Sequence, residues 1–83
     1  MPILILGEIL KEKRIKMKLS LKALSKLTNI SISELSKLEN GLIREPSSVF
    51  LYRLSNILNL DYNEMLKYRF ASYYKKRELL GAK

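Results

Sequence analysis

The chain has no cysteine and no histidine among its 83 residues, and both absences narrow its chemistry. Without cysteine there is no disulfide framework and no thiolate chemistry, a composition suited to a reducing compartment. Without histidine the commonest general base and the commonest metal ligand are missing. Long apolar runs are scarce too. The run near the start, Ile3-Leu4-Ile5-Leu6, is too short for a membrane span or a signal-peptide core, and no basic segment precedes it. A cytoplasmic protein with no membrane partner is therefore expected. Glycine and proline are few, three and two residues, and neither interrupts the stretch from Ser47 to Leu80.

Positive charge is what the chain has in excess. The net charge is +8, and it is uneven: residues 1–18 carry five basic and two acidic side chains, and residues 67–83 carry six basic and one acidic. The middle is close to balance. A small basic protein suggests an anionic partner, most often nucleic acid. The same balance also suits a solvated, lysine-rich surface with no partner. The length allows one domain with a modest core.

Apolar residues recur at helical spacing throughout, and no strand alternation appears. Leu6, Ile9 and Leu10, with Met17 as a further candidate, predict a first helix over roughly residues 5–17. Ser20 is placed to cap a second helix, Leu21 to about Thr28, whose buried side takes Leu24 and either Leu27 or Thr28. Ser31 caps a third helix that Gly41 ends. A fourth starts at Ser47 or Ser48 and carries Phe50, Leu51, Leu54, Ile57 and Leu58. Asp61 with Glu64 three residues on resembles a capping box and opens a fifth. The expected fold is all-α, a compact bundle of five helices.

The stretch from Leu21 to Gly41 meets the demands of a helix-turn-helix. Such a pair needs a small residue at the crossing, a residue tolerant of positive φ in the turn, and apolar anchors on both sides. Ser25 is the small contact, Asn29 sits in the turn, Ile30 seals the corner, and Leu24, Leu35 and Leu38 anchor the two helices. The third helix then keeps only a narrow apolar seam, Leu35 and Leu38, beside an outer face of Ile32, Ser33, Ser36, Lys37 and Asn40.

In these residues the chain resembles the Cro/repressor type of helix-turn-helix proteins, the XRE family that includes lambdoid phage repressors. The resemblance runs from about Leu6 to Leu66. It rests on Lys13-Arg14-Ile15 ahead of Leu19-Ser20, on Leu38-Glu39-Asn40-Gly41, and on Pro46 before the fourth helix. It departs from the family at Lys18 and Asn29, where glycine is usual, and at Leu21, where repressors commonly have a glutamine that contacts DNA.

The resemblance implies a λ-repressor-like DNA-binding domain over residues 1–67; residues 68–83, basic and without glycine or proline before Gly81, are expected to form a helical extension. It implies sequence-specific binding to double-stranded DNA by a transcriptional repressor, with the third helix, about residues 31–40, in the major groove. Ile32, Ser33, Ser36 and Lys37 would then meet base edges: Ile32 a thymine methyl, Lys37 a guanine acceptor or a phosphate. Ser20, Lys22, Asn40 and Arg44 would hold phosphates. Each has a plainer reading as well. Ile32 can pack on its own protein, Lys37 can be solvated, and Asn40 can be a turn residue closing the helix. Arg14 and Glu39 would form a partly buried structural ion pair.

No catalytic role is expected, because the eight carboxylates serve as caps, ion pair and surface charge, and no phosphate loop or nucleophile–base couple is visible. No cofactor or metal is expected either. A homodimer is expected on DNA, with Leu66, Phe70, Tyr73 and Leu80 as its stripe and Met65 beside it. The plainer reading folds that stripe back on its own chain, and Ile3, Leu4 and Ile5 suit either arrangement. The alternative function is an antitoxin or partner-binding module of the same fold, gripping a protein partner through the extension or through the surface of the fourth helix.

Overall fold

In the computed structural model, which describes residues 6–43 and 45–68, four helix starts are set by a short polar side chain. The side-chain oxygens of Ser20, Ser31, Ser47 and Asp61 accept from the backbone N–H three residues on, those of Ala23, Glu34, Phe50 and Glu64. Each cap satisfies a donor that the first helical turn leaves open. The elements are α1 (Leu6–Lys16), α2 (Leu21–Thr28), α3 (Ile32–Glu39), α4 (Ser48–Leu58) and α5 (residues 62–68). No strand occurs among the described residues, and the fold is all-α.

The helix ends share a device of their own. A left-handed residue follows each of the first four helices: Lys18 (φ 58°), Asn29 (φ 59°), Gly41 (φ 66°) and Asn59 (φ 55°). At Lys18 the chain closes with a paired pattern. Leu19 N–H donates to the Arg14 carbonyl at 3.1 Å and Lys18 N–H to that of Ile15 at 2.9 Å. Gly41 repeats it, with Leu42 N–H on Lys37 and Gly41 N–H on Leu38. Glycine takes this conformation freely and asparagine tolerates it, whereas a lysine there is strained by about 1–2 kcal/mol. Ser47 is the cap and Ser48 the first residue of α4, and Pro46 is buried just ahead of them.

Leu6, Leu10, Leu24, Ile30, Leu35, Leu38, Leu51, Leu54, Leu58 and Met65 form one buried cluster. Around it α1 packs on α3 and α4, and α2 packs on the same two helices. Tyr52 of α4 and Tyr62 of α5 meet edge to face, with ring centroids 5.6 Å apart. Gly7 lets α1 approach the end of α3 backbone to backbone. A Cβ there would overlap the Glu39 carbonyl oxygen and stand 2.6 Å from that of Leu38.

Two sequence expectations resolve at this level. Of the two candidates for the buried side of α2, Thr28 is 3% exposed and Leu27 is 55% exposed. The Thr28 hydroxyl donates to the Leu24 carbonyl at 2.7 Å, so its polar atom enters the core already paired. Met17 lies beyond the end of α1 and is exposed, so the first helix is anchored by Leu6 and Leu10. Ile3, Leu4, Ile5, Arg44, Phe70, Tyr73 and Leu80 lie outside the described residues, as does the extension beyond Tyr68.

Candidate nucleic-acid interface

α3 is bounded by the Ser31 cap and the left-handed Gly41, and only one side of it is covered. Leu35, Leu38 and Glu39 are buried, while Ser31, Ile32, Ser33, Lys37 and Asn40 are exposed and Ser36 is half-buried. The expected base-contact residues Ile32, Ser33, Ser36 and Lys37 therefore lie along the side of α3 away from the core. Ile32 is 47% exposed, and several other aliphatic side chains, Leu27 and Leu42 among them, are exposed too, so its exposure leaves it accessible without itself marking a partner.

Three interactions hold this helix in place. Ser25 Oγ donates to the Ile30 carbonyl at 2.5 Å, tying the last turn of α2 across the turn to the residue before the α3 cap. The Arg14 guanidinium grips Glu39 with both oxygens, Nε to Oε2 at 2.6 Å and Nη2 to Oε1 at 3.1 Å. Its remaining nitrogen, Nη1, donates to the Leu19 carbonyl at 2.8 Å. One planar fork thus joins α1, the loop ahead of α2 and the end of α3. The side chains are 12% and 6% exposed, so the pair is largely shielded from water and salt. The third restraint is Gly7, two turns before Arg14, against the backbone of the same α3 residue.

The expected phosphate-contact residues are placed less uniformly. Ser20 caps α2 through its oxygen, which leaves its hydroxyl proton to donate outward. Lys22 is exposed on the first turn of α2, and Lys26, not singled out in the sequence, is exposed one turn on. Asn40 is exposed, but its amide nitrogen donates to the Ser36 carbonyl at 2.8 Å and its backbone N–H to the same oxygen, so it also closes α3. Arg44 lies outside the described residues. Leu66, from the expected dimer stripe, is half-buried and packs against the core cluster.

Sequence reasoning missed Gly7, the lock made by the Ser25 hydroxyl, and Arg53, whose Nη1 reaches the Thr28 carbonyl at 3.5 Å. Only Gly7 had a readable signal, as a glycine inside an otherwise helical pattern. Among the described residues no group of carboxylates is placed to hold a metal ion, and no helix is long and apolar enough to cross a membrane.

Two helices joined by a short turn through the left-handed Asn29, the second with its polar side free and its ends clamped, define a helix-turn-helix unit. The chain belongs to the helix-turn-helix family of the Cro/repressor, XRE type, whose family model matches residues 10–65. This is a family of DNA-binding regulators. No curated protein and no solved structure matches the chain.

Proposed function

We propose that the protein is a sequence-specific transcriptional repressor that inserts α3 into the major groove of double-stranded DNA. The observation that carries this reading is the exposed side of α3, on a helix fixed at both ends by Ser25 and by the Arg14–Glu39 fork. Ile32 packs on a thymine methyl, Lys37 donates to guanine, and Ser33 and Ser36 make weaker contacts. Ser20, Lys22, Asn40 and Arg44 hold phosphates and fix the register. The protein acts in the cytoplasm, has no enzymatic role, and binds as a two-fold dimer, because one recognition helix covers only a few base pairs. Residues 1–67 form the DNA-binding unit and residues 68–83 contribute to the dimer.

Selection of bound sequences from random duplex DNA with the purified protein tests the proposal. The expected result is one enriched motif with two related halves about one helical turn apart. Binding of all sequences alike would refute it. The second reading, a module that grips a protein partner, is favoured by Val49 and Tyr52, both more than half exposed on α4. Purification from native cells with a stoichiometric protein partner, together with no enriched DNA motif, would favour that reading.

A further inference from the structure

The first turn of α3 carries one acidic residue, Glu34, half-buried beside the exposed Ser33 and one turn ahead of the exposed Lys37. A carboxylate is out of place on a DNA-binding surface of a chain with net charge +8, since phosphates repel it. Three structural explanations are available for it. It could pair with Lys37, three residues on, where helical side chains stand about 5–6 Å apart at Cβ. It could pair with a cation elsewhere in the fold. It could complete a capping box by accepting from the Ser31 backbone N–H. Among the described residues Glu34 makes none of these contacts. Its backbone N–H is capped by Ser31 at 3.1 Å, while its carboxylate has neither an ion-pair partner nor a hydrogen-bond donor. The remaining benefit is a favourable charge near the helix N-terminus, which any glutamate in that turn would supply.

The chemistry of the groove assigns a further use. An ionised carboxylate only accepts hydrogen bonds. In the major groove the donors are the cytosine N4 and adenine N6 amino groups, whereas guanine O6 and N7 and thymine O4 are acceptors that repel it. Adenine also presents the N7 acceptor beside its amino group, so a carboxylate fits it poorly, and cytosine is the base left. Lys37 has the opposite character, donating only, and its preferred base is guanine. The two side chains are one turn apart on α3, and a G·C pair offers an acceptor edge and a donor edge together.

We propose that Glu34 is a specificity-determining residue that accepts from a cytosine N4 amino group, so that Glu34 and Lys37 together select G·C pairs within each half-site. This rests on the DNA-binding reading above. Glu34 discriminates at the expense of affinity: it favours one base and weakens attachment to DNA in general.

The test compares the full chain with Glu34→Gln and Glu34→Ala by selection from random duplexes and by binding to the selected site. Thermal melting confirms that each variant is folded. Glutamine keeps the shape and adds a donor, which suits adenine N6 and N7. At one position of each half-site, Glu34→Gln should change the preferred base from cytosine to adenine, with a shift in preference of about tenfold. Both variants should bind unrelated DNA more tightly than the wild type does. A second probe changes the DNA: N4-methylcytosine at that position places a methyl group on the major-groove side of the amino group while retaining pairing with guanine. It should weaken the wild type and leave Glu34→Ala unaffected. If both variants keep the wild-type base preference at every position, Glu34 serves only the helix terminus and the proposal is overturned. A wild type that enriches no sequence overturns it by a different route, since the DNA-binding reading then fails first.

Discussion

Removing either half of the Arg14–Glu39 pair should destabilise the protein strongly, and removing both should cost much less than the sum. Breaking a fully buried ion pair from one side costs about 3–5 kcal/mol, mostly because the other charge is left without a partner. Here the arginine side chain keeps 12% of its exposure, and after Glu39→Ala it still donates to the Leu19 carbonyl. The expected cost of Glu39→Ala is therefore lower, about 2–3 kcal/mol. Arg14→Ala leaves a carboxylate that is 6% exposed with neither of its two donors, and it also strips the Leu19 carbonyl of its bond. It should cost about 1 kcal/mol more than Glu39→Ala. Arg14→Lys retains the charge but not the fork, and should recover less than half of the loss. A domain of this length has roughly 4–12 kcal/mol to lose, so urea unfolding can follow each variant. The double variant should fall short of the additive value by about 1.5–3 kcal/mol. Additivity within about 0.5 kcal/mol would mean that the two side chains are not coupled in solution, and the fork would not be what holds α3 to α1.

Lys18→Gly should raise stability by about 1 kcal/mol, because it relieves a left-handed lysine at the end of α1; no change in the urea midpoint would place that strain elsewhere. Gly7→Ala should lower stability by about 2 kcal/mol or more, since the new methyl group meets backbone carbonyls of α3 that have no rotamer to move into. Unfolding of that variant at the wild-type midpoint would show that α1 does not approach α3 so closely. Lys37→Ala should alter base preference at one operator position by about 1–3 kcal/mol, whereas Lys22→Ala should weaken all sequences alike and flatten the salt dependence by about one unit. Replacing the thymine opposite Ile32 with uracil, which lacks the methyl, should mimic Ile32→Ala; binding that ignores the methyl would remove Ile32 from the base contacts.

The signals legible in the sequence are those that act over three or four residues. Ser20, Ser31 and Asp61 announce helix starts because each needs only the N–H three positions ahead, and the fold uses all three as caps. Asn29 and Gly41 announce helix ends for a similarly local reason, their tolerance of positive φ. The apolar spacing of Leu24, Leu35, Leu38, Leu51, Leu54 and Leu58 places them in the core without reference to any neighbour. The narrow seam of α3, and hence its free outer side, follows from that spacing too. Arg14 and Glu39 are a different case, 25 residues apart, and only family resemblance joined them in advance.

Tertiary structure decided the rest, because the deciding neighbour lies far along the chain. Periodicity could not choose between Leu27 and Thr28; the packing of α2 on α3 and α4 buries the smaller one, whose hydroxyl is already satisfied within its own helix. Gly7 reads as an ordinary weak point in a helix until α3 arrives, when it becomes the place where two backbones touch. Lys18 carries no local mark of a left-handed residue. It adopts that conformation where the chain turns from α1 into α2, and Arg14, bound to Glu39 on one side, holds the Leu19 carbonyl on the other. A side chain's local preferences are written beside it in the sequence; the contacts that override them, or give them a use, come from residues that only folding brings near.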